Sequence, residues 1–193
     1  MQNLPKPPHI SAKSWIIFDL QTNKMFQGKK ETVKREMASI TKMMNFYTVL
    51  RLMEKSKLCF KQVIVTVSKT AASITGTSAN LKEGDQFTVA DLIYGMMLPS
   101  GNDAAYALAE HFGTLIQKSL PPRQNPYESI ISPIRQFLRE MNKYAHRLKL
   151  TSTQFDSPHG LSNKCNFSTA KDICALSIAC MKIPRFREVV GTK

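Results

Sequence analysis

Residues 39–55 describe a helix with almost no polar face. Ile40, Met43, Met44, Phe46, Tyr47, Val49, Leu50, Leu52 and Met53 cover nearly its whole circumference, and a helix that is apolar all round belongs at the centre of a domain. Only Ser39, Lys42, Asn45, Thr48 and Arg51 interrupt it, at steps of three. The 193 residues suffice for one domain with a sizeable core around such a helix. A content of 42% apolar and 21% charged residues is that of an ordinary globular protein.

The rest of the chain supplies the shell. Residues 1–12 are a Pro-rich arm. Trp15–Phe18 reads as a strand, Asp19–Lys24 as a turn, and Met25-Phe26 as the return strand of a hairpin. Val63–Val67 is a short β-branched strand, and residues 68–86 read as loops. Thr88 caps a helix over 89–98, with Asp91 forming a partial capping box and Pro99 ending it. Asn102 or Asp103 caps a further helix through Phe112, which Gly113 closes. Residues 114–131, with Pro121, Pro122 and Pro126, read as a surface loop. Ser132 and Pro133 start a helix whose apolar face is Ile134, Phe137, Leu138, Met141, Ala145 and Leu148. A last helix runs from Ser168 to about Ile183, where Pro184 stops it. The whole is a strand pair followed by a mostly helical body.

The net charge of +13 is uneven: residues 1–69 carry 13 Lys/Arg against 4 Asp/Glu. Such a surface can attract an anionic partner, but no basic run is interleaved with aromatics as a nucleic-acid platform requires, so a solvated basic surface is expected and nucleic acid is not. Cys59, Cys165, Cys174 and Cys180 show neither CxxC pairing nor zinc spacing and are expected to be buried free thiols; no metal or other cofactor is expected. No 18-residue apolar run spans a membrane, and the opening Met1–Pro8 lacks the apolar stretch of a signal peptide.

Two segments carry chemistry. Ser39-Ile40-Thr41-Lys42 is an S-x-x-K tetrad. Positions three apart share a helix face, so Lys42 reaches the Ser39 hydroxyl one turn on. Ser39 lies near the positive end of the helix dipole. Lys42, on an otherwise apolar helix, is buried or faces a cleft, and desolvation lowers a lysine pKa toward that of a competent base. From this helix alone, a capping serine and a lysine that snorkels to water fit equally well. Ser100-Gly101-Asn102 offers a hydroxyl, close backbone approach and a carboxamide at a cleft rim; a helix-capping turn accounts for the same residues.

In this order, S-x-x-K and then S-x-N some 60 residues on is the signature of penicillin-binding proteins and class A β-lactamases. The surrounding segments Met37–Met44, Leu92–Ala105, Ser157–Leu161, Phe167–Asp172 and Pro184–Val190 resemble the serine D-alanyl-D-alanine carboxypeptidases of peptidase family S11. The resemblance covers residues 11–193 apart from 114–131, which looks like an insertion. It implies an α+β DD-peptidase/β-lactamase-like fold, a helical body packed on an antiparallel sheet. It also implies a hydrolase that cleaves the terminal D-Ala-D-Ala bond of peptidoglycan stem peptides and is acylated by β-lactams. Ser39 would be the nucleophile and Lys42 its base. Ser100 would relay a proton to the leaving D-alanine, and Asn102 would hold the substrate amide and orient Lys42. His159, in a Pro-His-Gly turn, would be structural.

Two departures qualify that expectation. The family's third motif, K-T-G on an edge strand, is expected after residue 193, so the domain would be truncated before its last sheet strands. Activity from this chain alone would then be weak, and an inactive member serving as a binding or structural protein is the alternative. The family also works outside the cytoplasm, whereas no export signal is read here. A class A β-lactamase would further need a carboxylate to activate the deacylating water, and neither Glu128 nor Glu140 has the context for it.

Overall fold

A computed structural model describes residues 10–120, 131–161 and 163–193. Most of the Pro-rich arm and the proline cluster at 121–126 lie outside these residues.

The chain opens with an antiparallel hairpin of β1 (Trp15–Asp19) and β2 (Lys24–Lys29). Trp15 stands opposite Lys29 and Asp19 opposite Lys24, with a bulge between Ile17 and Phe18. The Asp19 carboxylate closes the turn by accepting from the N–H of Gln21 at 2.9 Å, and Asn23 takes the left-handed conformation there, which asparagine tolerates. Two further antiparallel pairs are short. β3 (Arg35–Glu36) pairs with β6 (Phe167–Ser168), and β4 (Ile64–Thr66) with β5 (Gln86–Thr88). The β3–β6 ladder brings the run-up to Ser39 against a segment some 130 residues later, and so fixes one wall of the site.

Helix α1 (Thr41–Ser56) is the buried centre that its composition demands. Met44, Phe46, Val49 and Met53 are fully enclosed. So are its polar residues Thr41, Lys42, Asn45 and Thr48. Around it pack α3 (Val89–Met97), α4 (Asn102–Ser119), α5 (Pro133–Arg147), α6 (Ala170–Met181) and α7 (Pro184–Val190). Phe112, Phe137, Phe155 and Met141 complete the core, each worth roughly 1.5–3 kcal/mol of burial. Ser132 caps α5 through the N–H of Arg135, Pro133 is its first residue, and of its apolar face Phe137, Leu138, Met141 and Ala145 are buried while Ile134 and Leu148, at its two ends, are partly buried.

Several boundaries differ from the sequence reading. Helix α1 begins at Thr41, so Ser39 precedes it in a tight turn. The Thr88–Asp91 capping box is complete, with both reciprocal bonds present. Residues 68–86 contain a four-residue helix, α2 (Lys69–Ala72), capped by Ser68. Helix α4 does not close at Gly113 but continues to Ser119. Gly113 serves close approach instead: a Cβ there would lie 1.9 Å from the Pro133 carbonyl oxygen, where α5 begins. Thr169 rather than Ser168 caps α6, because Ser168 is held in β6, and Pro184 starts α7 as well as interrupting α6. Of the four thiols only Cys180 is fully buried; Cys59 and Cys165 are exposed, since both fall in loops that the core does not cover.

Candidate active site

Ser39 emerges from β3 at the N-terminal mouth of α1. The N–H groups of Thr41, Lys42 and Met43 bond back to the carbonyls of Ala38, Ser39 and Ile40, each at 3.0 Å. This i→i+3 turn feeds directly into α1. Ile40 occupies the cap position and no side chain caps the helix, so Ser39 is not a capping serine. Its hydroxyl is exposed and turned toward Lys42 instead.

Two contacts lock this turn. Asn166 donates from Nδ2 to the Met37 carbonyl at 3.2 Å and to Thr41 Oγ1 at 2.8 Å, and its own carbonyl accepts from the Met37 N–H at 3.0 Å. Gly160, at φ +86°, presses against Ala38 so closely that a Cβ would come within 2.0 Å of the Ala38 oxygen. Only glycine reconciles that left-handed φ with that approach.

Lys42, 2% exposed, is the hub. Its Nζ donates to Asn102 Oδ1 at 2.7 Å and to the His159 carbonyl at 3.0 Å, and lies 3.1 Å from Ser39 Oγ and 3.2 Å from Ser100 Oγ. Burial pushes this amine down to about 8, against the opposing pull of Asp103. The nitrogen has three positions besides Cε. The two pure acceptors take two protons, leaving one position facing both serine hydroxyls. In the neutral amine that position is a lone pair, able to accept a proton from either hydroxyl.

The opposite wall is the turn between α3 and α4. Ser100 adopts φ +59°, unusual for a residue with a side chain. Neighbouring bonds over-determine it: Thr77 Oγ1 donates to the Ser100 carbonyl at 2.6 Å, Gly101 N–H to Gly95 at 3.1 Å, and Asn102 N–H to Thr77 at 2.8 Å. Strain held this way is common where geometry serves chemistry. Gly101 has no room for a side chain, since a Cβ would meet the Gly95 oxygen at 2.6 Å. Asn102 Nδ2 donates to the Thr75 carbonyl at 2.8 Å, which turns Oδ1 onto Lys42.

All four residues singled out by sequence therefore converge: Ser39, Ser100 and Asn102 each lie within 3.2 Å of one amine. Three further groups support the site in ways the sequence did not indicate. His159 reaches Lys42 through its backbone carbonyl, while its ring, held down to about 4 by burial and by Lys42, accepts from the Leu161 N–H at Nδ1. Asp103, 1% exposed, accepts from Ser78 Oγ and from the N–H groups of Ala79, Leu81 and Ala104. Burial pushes that carboxyl up, but these donors outweigh it and hold it below its ordinary range. Asn45 ties α1 to both walls, donating to the carbonyls of Ala105 and Pro158. Beside the site, an apolar cavity of about 570 Å3 opens between β1 and α6, bounded by Trp15, Phe18, Ala38, Ile40 and Ile173. No His, Cys, Asp or Glu cluster among the described residues has the form of a metal site. Glu140, weighed as a lactamase-type carboxylate, is paired with Lys143 at 3.1 Å on α5; Glu128 lies outside the described residues.

Known proteins resemble this chain over most of its length. The sequence profile of the D-alanyl-D-alanine carboxypeptidases, Peptidase_S11, matches residues 1–115 and 128–193. The D-alanyl-D-alanine carboxypeptidase DacD of Escherichia coli is 35% identical over 181 residues, covering 91% of this chain and 42% of that protein. The D-alanyl-D-alanine carboxypeptidase of Streptomyces sp. strain K15 is 33% identical over 190 residues, covering 96% of this chain and 60% of that protein. The crystal structure of the Streptomyces K15 DD-transpeptidase matches with a TM-score of 0.82 at 34% identity, over 98% of this chain and 68% of that one. DacD from Francisella tularensis matches with a TM-score of 0.81 at 28% identity, over 98% of this chain and 42% of that one. The present chain thus spans less than half the length of the Escherichia coli DacD it matches. Its α+β architecture is that of the DD-peptidases, and the chain belongs to the D-alanyl-D-alanine carboxypeptidase family, peptidase family S11.

Proposed function

We propose that this chain carries the nucleophile half of a serine D-Ala-D-Ala carboxypeptidase site. Ser39 attacks the carbonyl between the two terminal D-alanines of a peptidoglycan stem peptide, and its proton passes to neutral Lys42. Ser100, on the same amine, returns a proton to the departing D-alanine nitrogen as the C–N bond breaks. Asn102 keeps the amine aimed at both hydroxyls and hydrogen-bonds the substrate amide through its remaining N–H. Water then hydrolyses the Ser39 ester, and β-lactams acylate the same oxygen.

The observation that supports this most directly is the Lys42 amine itself: one free position on nitrogen faces two serine hydroxyls at 3.1 and 3.2 Å. A purely structural lysine would have no need of two competing hydroxyls there.

The test is release of D-alanine from a peptide ending in D-Ala-D-Ala, compared between the wild type and Ser39→Ala. Release that disappears in Ser39→Ala supports the assignment. Release that persists in Ser39→Ala places the nucleophile elsewhere, and no release from either removes the carboxypeptidase reading for this chain.

A further inference from the structure

Helix α1 carries a second polar residue one turn beyond Lys42. Asn45 lies three positions on, on the same helix face, and is fully enclosed. Both protons of its Nδ2 are used: one goes to the Ala105 carbonyl at 3.0 Å and the other to the Pro158 carbonyl at 2.9 Å. Those carbonyls belong to the two walls of the site. Ala105 is in the first turn of α4, three residues past Asn102, and Pro158 immediately precedes His159. Asn102 Oδ1 and the His159 carbonyl are the acceptors that take two protons of the Lys42 amine. One carboxamide therefore ties together the two segments that carry both acceptors.

The residue type fits that task and little else. Asn45 Oδ1 is buried with no partner among the described residues, and a buried acceptor left unpaired destabilises a fold. An apolar side chain of similar shape would avoid this, as Met44, Phe46 and Val49 do around it. A carboxamide nitrogen, however, presents two donors in one plane, whereas a serine or threonine hydroxyl has one proton and a carboxylate none. Glutamine would carry the same fork one methylene too far.

We propose that Asn45 is a positioning residue for Lys42: by holding α4 and the 157–161 turn at a fixed separation, it keeps both oxygen acceptors on the amine and so leaves the third position of that nitrogen facing Ser39 and Ser100. This rests on the reading of Lys42 as the base for Ser39 and extends it to a residue that bonds neither hydroxyl. Asn45 acts through geometry alone. The titratable side chains that bear on Lys42 are Asp103 on α4 and His159 in the turn; Asn45 carries no charge and bonds neither of them. Without the fork the walls are free to part. The ammonium then loses hydrogen-bond acceptors, so its midpoint falls, and the neutral amine loses its aim, so acylation slows even when fully deprotonated. A residue that served only folding would lower the amount of active chain at an unmoved midpoint.

The test is an NMR titration of the whole chain labelled with ε-13C lysine, the Lys42 signal being the one missing from Lys42→Arg, together with the pH profile of acylation by a penicillin. Asn45→Leu keeps the volume and removes both donors; Asn45→Ala removes them without any risk of overpacking. Thr48→Val is the control: Thr48 is equally buried on α1 and its hydroxyl has no partner among the described residues, but a further step of three turns it away from the amine. In both Asn45 variants the Lys42 midpoint should fall by about half a unit or more and the acylation plateau by about tenfold or more, while Thr48→Val should match the wild type in both. The proposal is overturned by an unmoved Lys42 midpoint in a folded Asn45 variant, by a wild-type plateau in that variant, or by an equal shift in Thr48→Val. A wild-type chain that penicillin does not acylate counts against Ser39 and its base, and the Lys42 titration then decides the role of Asn45 by itself.

Discussion

If neutral Lys42 is the base for Ser39, the acylation rate must follow the deprotonated fraction of that amine. Burial holds it at about 8. About one molecule in eleven then carries the neutral amine at pH 7, one in two at pH 8 and ten in eleven at pH 9. Acylation by a β-lactam, followed as stopped-flow quenching of Trp15 or as the fraction of labelled chain, should rise about tenfold from pH 7 to 9 and then level off. An amine with the ordinary lysine value of 10.5 would instead rise about a hundredfold over that interval and still be climbing. Lys42→Arg, whose guanidinium stays protonated, should abolish the reaction. The same amine ties stability to pH. Its folded value lies below its unfolded one, so burying the ammonium costs stability below about pH 8, and that cost is relieved as the pH rises toward 10.5, by roughly 3 kcal/mol in all. A flat profile, a profile still climbing tenfold per unit above pH 9, or acylation retained in Lys42→Arg would refute the reasoning.

Three substitutions probe the supports. Asn102→Asp puts a carboxylate where an amide oxygen now sits 2.7 Å from Nζ; the acylation midpoint should move to higher pH by about one unit or more, and an unmoved midpoint would mean that Asn102 does not face the working amine. Asn166→Ala removes the donor shared by the Met37 carbonyl and Thr41 Oγ1 and leaves both buried, costing about 2–4 kcal/mol in urea unfolding and slowing acylation. Wild-type values in both assays would show that the clamp is idle. Gly113→Ala drives a Cβ onto the Pro133 oxygen, 1.9 Å away, and should cost about 1–3 kcal/mol with a lowered melting temperature; a loss below about 0.5 kcal/mol would mean α4 and α5 separate without strain.

What the sequence makes legible follows from how local each signal is. The apolar circumference of residues 41–53 identifies the central helix, because burial on every side leaves that trace in composition alone. Ser132-Pro133 and Thr88 with Asp91 mark helix starts because capping is settled within four residues. Gly113 misleads for the opposite reason. Its need comes from Pro133, twenty residues on, and a glycine demanded by a neighbouring helix reads like one that ends its own. Ser39, Lys42, Ser100 and Asn102 are legible as two ordered motifs, and the first pair meets across the i→i+3 turn that leads into α1. That Ser100 joins them is settled by a left-handed turn that Thr77 and Gly95 hold. The parts missed are backbone groups and long-range clamps: the His159 carbonyl on Lys42, and Asn166 on the turn before Ser39. A carbonyl has no residue type, and an asparagine 125 positions from its partner has no spacing to betray it.

The central claim is that Ser39 is a nucleophile already assembled with its base. Intact mass after incubation with a penicillin, for the wild type and for Ser39→Ala, tests it most directly. The account predicts one covalent adduct of the mass of the whole antibiotic on the wild type and none on Ser39→Ala. A folded wild-type chain that stays unmodified, or an adduct that survives Ser39→Ala, would contradict it.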